Sequence, residues 1–181
     1  MRWSVLSSRV LYEGRPHRLR LDTCRTPKGV EVKDYFVREV NDIAMVFALT
    51  VGEEVVLVRQ YRHGAGEVTL ELPQGLLEAG EGAREGGLRE LLEETGFAPA
   101  RMEQVGELWA SPAVQPSRVH LLVGYGAARV AAPAPEPEEE LEVRLVPVGE
   151  LEGLIDGGEL KAAGSVAGAL LGLRHLARAR R

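Results

Sequence analysis

Cysteine is nearly absent. Cys24 is the single one in 181 residues, which excludes an internal disulfide framework and a cysteine-rich zinc site. No apolar run reaches the roughly eighteen residues of a membrane span. The segment from Met1 to Leu6 lacks the long apolar stretch of a secretory signal, so a cytoplasmic location is the expectation. Lysine and aspartate are scarce, with 3 Lys against 19 Arg and 4 Asp against 23 Glu, and Asn41 is the single asparagine. That bias fits a thermophile or a GC-rich genome equally. The net charge is −5 and no basic stripe runs along the chain, which argues against duplex nucleic acid as a partner. An anionic ligand would need local help from arginines or metal ions. His17, His63, His120 and His175 are scattered, with no H-x3-H metal spacing. Gly64-Ala65-Gly66 lacks the Lys-Ser/Thr that would complete a phosphate loop. Ser111 has no His/Asp pattern to make it a nucleophile.

What remains is the balance of a soluble globular chain, 45% apolar and 27% charged, enough to bury a real core. The first forty residues read as strands. Arg9 to Tyr12 precedes a Glu13-Gly14 turn, Arg18 to Leu21 alternates with period two, and Thr26-Pro27-Lys28-Gly29 is turn chemistry. Val30 to Val40 continues as a strand. This segment, 1–42, predicts a small antiparallel sheet too short to stand alone. From Ile43 the apolar strands Ile43–Leu49 and Val55–Val58 begin a second region, 43–181. Leu70 to Leu72 leads into Pro73-Gln74-Gly75. The spacing then predicts a helix over Gly82–Thr95, stopped by Gly96 and Pro99. Strands are expected near Gln104–Trp109, Val119–Gly124 and Leu141–Val146, with a Pro/Glu loop at Pro133–Glu140 and a terminal helix over Leu160–Arg178. Mixed strands and helices without regular βαβ alternation predict an α+β fold with a mixed sheet.

The helix at 82–95 carries the chemistry. Glu90 and Glu94 lie one turn apart on one face, with Glu93 three residues from Glu90. Such carboxylates repel unless a cation lies between them, and a hard, oxygen-preferring ion, Mg²⁺ or Mn²⁺, resolves the conflict. Leu88, Leu91 and Leu92 supply an apolar flank for the sheet. Gly86 and Gly87 cost about 1 kcal/mol each relative to Ala, and close helix–sheet packing is the expected return. Arg89 has Glu93 at i+4 and Glu85 at i−4 as partners.

The wider spacing is Gly75, five residues, Glu81, seven residues, Arg89-Glu90-Leu91, one residue, Glu93-Glu94, one residue, Gly96-Phe97. This resembles the Nudix box, G-x5-E-x7-R-E-U-x-E-E-x-G-U, with U bulky and apolar. Here the last U is Phe97, and Gly82 stands where a side-chain cap is usual. The resemblance implies an α/β/α sandwich with a mixed sheet and hydrolysis of a nucleoside diphosphate linked to another group by water that divalent ions activate. It implies Glu90 and Glu94 as principal metal ligands, Glu93 as a further ligand or helper, and the Gln74 carbonyl as a backbone ligand. Arg89, Glu81 and Gly75 take supporting positions. Two or more Mg²⁺, replaceable by Mn²⁺, would bind water and bridging oxygens and offset the phosphate charge.

Within the family, Pro112, sixteen residues after Gly96, resembles the ADP-ribose pyrophosphatase subgroup. So does Val58-Arg59-Gln60-Tyr61-Arg62, whose last arginine contacts substrate. Arg38-Glu39 resembles an R-E pair that reaches substrate across a homodimer, and 1–42 the small swapped domain of such dimers. Leu76 is a further expected substrate contact. The chain departs from the subgroup at Ala113-Val114-Gln115-Pro116, and Gln74 stands where Ala is more frequent. The implied base is a loop glutamate, Glu139, with Glu138, Glu140 and Glu93 as competitors. The expected reaction is Mg²⁺-dependent cleavage of ADP-ribose to AMP and ribose 5-phosphate. The alternatives are a broader hydrolase acting on FAD, NADH or a nucleotide sugar, and a non-catalytic nucleotide-sensing module.

Overall fold

The computed structural model describes residues 1–135 and 139–180. The chain forms two compact units, one of residues 1–42 with 109–118, the other of residues 43–108 with the chain from Val119 on.

In the smaller unit β1 (Ser4–Glu13), β2 (Arg18–Arg25) and β3 (Glu31–Glu39) pair antiparallel in that order. The β2–β3 turn forms where Pro27 and Gly29 predict it. The Gly29 N–H donates to the Thr26 carbonyl at 2.9 Å, and Gly29 takes a φ of 83°. Segment 109–118 joins β3: the Arg38 N–H donates to the Val114 carbonyl at 2.8 Å, and the Tyr35 hydroxyl to that of Ala113. β1 is an edge strand, and Val5, Leu6, Val10, Leu11 and Tyr12 on it are all exposed.

The larger unit is built on a mixed sheet in the order β11-β5-β4-β10-β8. Its strands are β4 (Ile43–Thr50), β5 (Glu54–Arg62), β8 (Phe97–Ala98), β10 (Arg118–Arg129) and β11 (Leu141–Pro147). Three others pair onto these: β6 (Glu67–Glu71) on β5, β7 (Gln74–Leu76) on β4, and β9 (Arg101–Trp109) on β10. β4 and β10 run parallel, with Met45 opposite Leu121 and Phe47 opposite Val123. The period-two rule of a strand explains the layering. Met45, Phe47 and Leu49 of β4 enter one core with Leu57, Leu72, Leu121 and Leu160, while Ala44, Val46 and Ala48 enter another with Leu91, Phe97 and Leu122. Helix α1 (Ala83–Thr95) contributes Leu91 to the second core. Helices α2 (Leu151–Asp156) and α3 (Ala163–Ala179) contribute Leu151, Ala169 and Leu176 to the first. This is the expected α+β sandwich with a mixed sheet.

The differences are local. α2 is six residues long, too short for a 3.6-residue period to show in the sequence. The terminal helix begins at Ala163, and Leu160, expected inside it, is instead a buried core residue ahead of it. Leu92, expected on the sheet-facing flank of α1, is exposed. Its place against the sheet is taken by Gly86 and Gly87, both buried.

Close approach also explains α3. Gly168 and Gly172 lie one turn apart, and a Cβ on Gly172 would sit 2.3 Å from the Phe47 ring. Gly to Ala inside a helix ordinarily gains about 1 kcal/mol. Here overpacking outweighs propensity, so Gly172→Ala should destabilise the protein by about 1–3 kcal/mol. Urea denaturation checks the sign, and a raised midpoint would contradict the packing argument.

Candidate functional site

Three pieces of the larger unit converge. Strands β5 and β6 pair Arg62 with Glu67 and Val58 with Glu71, and the long Arg62 side chain reaches the Glu71 carboxylate; β7 carries Gln74, Gly75 and Leu76, and α1 carries Arg89, Glu90, Glu93 and Glu94. α1 starts at Gly82, where the Glu85 carboxylate accepts from the Gly82 N–H at 3.3 Å. It ends at Gly96, whose φ of 73° is the left-handed cap predicted for it. Its glycines let it lie flat on the sheet. A Cβ on Gly87 would come 2.1 Å from Leu122, and one on Gly86 2.4 Å from Leu77.

Glu94 is drawn inward by that packing and is only 2% exposed. Its carboxylate accepts the Gln74 N–H at 3.1 Å. Burial, and then repulsion from Glu90 and Glu139, push its pKa well above the ordinary carboxylate range against the pull of Gln74 and Arg62. Glu90 is raised for the same first reason, burial, and Glu93 and Glu139 add to it against the pull of Arg89. The Glu90 carboxylate fills the space above Gly75, where a Cβ would sit 2.1 Å from its carbon. The first glycine of the box is therefore the floor of the Glu90 pocket.

Arg89 organises the rest. It donates to Glu81 at 2.9 and 3.0 Å, to Glu90 at 2.7 Å, to Glu93 at 3.1 Å and to the Leu76 carbonyl at 3.1 Å. The fork on Glu81 is the first cause of a raised Arg89 pKa and of a lowered one for Glu81. Glu81 also accepts from the Glu78 N–H at 2.8 Å, which closes the loop ahead of the helix. Glu85, the other expected partner of Arg89, binds the cap instead.

Arg62 lies in a second ion pair, which the sequence reading missed. Its Nε and Nη2 donate to the two Glu71 oxygens at 3.0 and 2.8 Å. Glu71, 3% exposed, also accepts from the Thr69 hydroxyl and, at 2.7 Å, from the Gln74 amide. Burial opposes ionisation of Glu71, but the bonds from Arg62, Thr69 and Gln74 outweigh it and hold the carboxyl below its ordinary range. The only sequence signal for Glu71 was a charged residue between Leu70 and Leu72 in an apolar strand.

Glu139 is exposed, and its charge is felt at Glu90, Glu94 and Arg62. Glu140 is exposed too, and Glu138 lies outside the described residues. Arg38 and Glu39 belong to the smaller unit, where Glu39 accepts from Arg18 at 2.6 Å and from Arg20 at 2.8 Å. His175 meets Tyr125 at 2.7 Å and Glu103 at 3.0 Å.

The donor set suits a hard cation. Glu90 and Glu94 are oxygen donors, one half-buried and one buried, and mutually repelling, and a divalent ion would relieve both costs. Among the described residues no three His, Cys, Asp or Glu side chains form a ready-made cage. That suits Mg²⁺, which commonly takes one or two carboxylates and completes its shell with water and substrate phosphates. Among the described residues no helix is long and apolar enough to cross a membrane.

Comparison with known proteins gives the family. Residues 3–37 match the nucleoside diphosphate sugar hydrolase N-terminal domain. The chain is 33% identical over 136 residues to the methanol dehydrogenase activator of Bacillus methanolicus, covering 75% of this chain and 73% of that one. It is 30% identical over 170 residues to an ADP-ribose pyrophosphatase of Mycobacterium tuberculosis, covering 93% of this chain and 82% of that one. A crystal structure of an ADP compounds hydrolase superposes with a TM-score of 0.83, over 99% of this chain and 96% of that one, at 20% identity. Residues 40–166, which hold the whole carboxylate helix and the sheet beneath it, match the NUDIX domain, so the chain belongs to the Nudix hydrolases.

Proposed function

We propose that this enzyme hydrolyses the pyrophosphate bond of ADP-ribose to AMP and ribose 5-phosphate, with Mg²⁺ as cofactor. The observation that carries the reading is the close pair of buried Glu94 and half-buried Glu90, two carboxylates that are costly to keep together unless a divalent ion binds them. The relatives named ADP-ribose pyrophosphatase and the structural neighbour named an ADP compounds hydrolase support the choice of substrate. Glu90 and Glu94 would hold the metal, with Glu93 and the Gln74 carbonyl as further ligands. When bound, two or more ions lower the pKa of water and neutralise the phosphates.

The chain's own residues supply the remainder. Arg89, anchored by Glu81, holds Glu90 over Gly75 and also binds Glu93. Arg62 contacts the pyrophosphate and Leu76 the rest of the substrate, while the Arg38-Glu39 pair serves the site across the homodimer, as the resemblance implies. Water attacks one phosphorus, the bridging P–O bond breaks, and the water proton passes to the carboxylate of Glu139, with Glu93 as the competing acceptor. A nucleotide sugar is the second reading, favoured by the match of residues 3–37 to the N-terminal domain of nucleoside diphosphate sugar hydrolases. The assembly is a homodimer to which residues 1–42 contribute. Support comes from the exposed apolar edge strand β1, since such edges are ordinarily covered or charged.

A panel of ADP-ribose, FAD, NADH and GDP-mannose with Mg²⁺ tests the substrate, and a preference for GDP-mannose would select the second reading. Glu90→Gln and Glu94→Gln should each fold and lose turnover by orders of magnitude. The raised pKa of both groups sets a pH sign. The folded protein holds these protons more tightly than the unfolded chain, so metal-free stability falls as pH climbs from the ordinary Glu range through the raised values. Mg²⁺ should therefore raise the Tm more at neutral than at acidic pH. Calorimetry checks this, and an increment that shrinks with pH would remove the metal from this pair.

For the base, Glu139→Gln should lower kcat by about 10²–10⁴-fold with little change in KM, and higher pH should partly restore it. A near-normal kcat would pass the role to Glu93 or a neighbouring loop glutamate. For the assembly, light scattering at micromolar concentration should give a dimer, and Leu6→Glu with Val10→Glu should shift it toward monomer. A monomer with full activity would refute the interface.

A further inference from the structure

Every ion pair around the carboxylate helix has a ready purpose except that between Arg62 and Glu71. The Glu71 carboxylate is almost wholly buried. Its bonds go to the Arg62 fork, the Thr69 hydroxyl and the Gln74 amide. Burying a carboxylate is expensive, and a hydrophobic residue on β6 would fill the same volume more cheaply. What a buried, bidentate carboxylate does supply is a fixed orientation for its guanidinium.

Arg62 needs that orientation because of what surrounds it. The charges of Glu94 and Glu139 both act on it. Without a partner of its own, a flexible, permanently charged side chain would swing to Glu94 and stand in for the cation expected there. Glu71 takes Nε and Nη2 and does not use Nη1. Gln74 ties the same carboxylate to β7, and the Gln74 N–H reaches Glu94. Arginine, buried acid, loop and Glu94 thus form one connected chain.

We propose that Glu71 is the positioning residue for Arg62: it holds the guanidinium by one edge, presents Nη1 to the pyrophosphate and keeps the positive charge off Glu94. This rests on the reading above that Arg62 contacts substrate. Glu71 touches neither substrate nor metal and acts through Arg62. Its loss is therefore a binding defect with the chemistry of the helix left in place.

The test is a double-mutant cycle on Glu71→Gln and Arg62→Ala, with kcat and KM for ADP-ribose, Kd for its non-hydrolysable α,β-methylene analogue, and Tm for folding. Glu71→Gln should raise KM and the analogue Kd about tenfold, the scale of one charge-assisted contact, with kcat changed much less. The double variant should be no worse than Arg62→Ala alone, because Glu71 has nothing left to orient. Additive losses, or a fall in kcat at unchanged KM, would overturn the positioning role. Arg62→Lys covers the case in which Glu71→Gln fails to fold. It keeps the charge but has no fork, so it should match Arg62→Ala in KM, and a wild-type KM for Arg62→Lys would overturn the proposal. An unchanged KM in Arg62→Ala would refute the substrate contact of Arg62 itself, and this inference with it. A raised KM there beside an unchanged one in Glu71→Gln would refute positioning alone.

Discussion

Two carboxylates crowded on one helix face, Glu94 buried and Glu90 half-buried, are the constraint around which the larger unit is arranged. Glu94 cannot leave, because the helix that carries it is pinned to the sheet by Gly86, Gly87 and Leu91. Glu90 cannot move away, because its carboxylate fits a space that only a glycine at 75 leaves open. The repulsion is therefore built in by packing, and packing terms of several kcal/mol outweigh the electrostatic cost. A site of this kind is strained toward binding a cation.

The arginines show how that strain is kept available. Each cation near the pair is matched to a carboxylate of its own: Arg89 to Glu81 in a fork, and Arg62 to Glu71 in another. Arg89 still reaches Glu90 and Glu93, but as a shared donor held from the far side by Glu81 and the Leu76 carbonyl. Arg62 acts on Glu94 through its charge, while its hydrogen bonds go to Glu71. The local excess of carboxylate over guanidinium is thus a designed imbalance, and it answers how a chain of net charge −5 would bind an anion: through cations it does not itself carry.

Much of this was legible because it is local. The spacing from Gly75 to Phe97 falls within one loop and one helix, where positions three and four apart must meet. The continuous apolar run Ile43–Leu49 showed a core strand, and Pro27-Lys28-Gly29 showed the β2–β3 turn. What escaped was either too short or too distant. α2 has no room for a helical period, and β8 is two residues long. Gly86 and Gly87 signalled the close packing of helix on sheet, but hydrophobicity alone does not tell a leucine that faces the sheet from one that faces outward, and Leu92 is exposed. Glu71 pairs with Arg62, nine positions away, across a hairpin whose register depends on the turn between them.

Gln74 draws these strands together. It departs from the alanine more frequent at its place, and a longer polar side chain next to buried acids would ordinarily be a liability. Here its amide completes the hydrogen bonding of Glu71 while its backbone N–H does the same for Glu94. One residue thereby serves two carboxylates of opposite character, one held ionised by its donors and one raised by burial and repulsion. An alanine would keep the backbone bond and lose the other, leaving Arg62 and Thr69 to satisfy Glu71. The substitution is thus a reinforcement of the buried acid on β6, and it makes the geometry of the arginine and that of Glu94 depend on the same short strand.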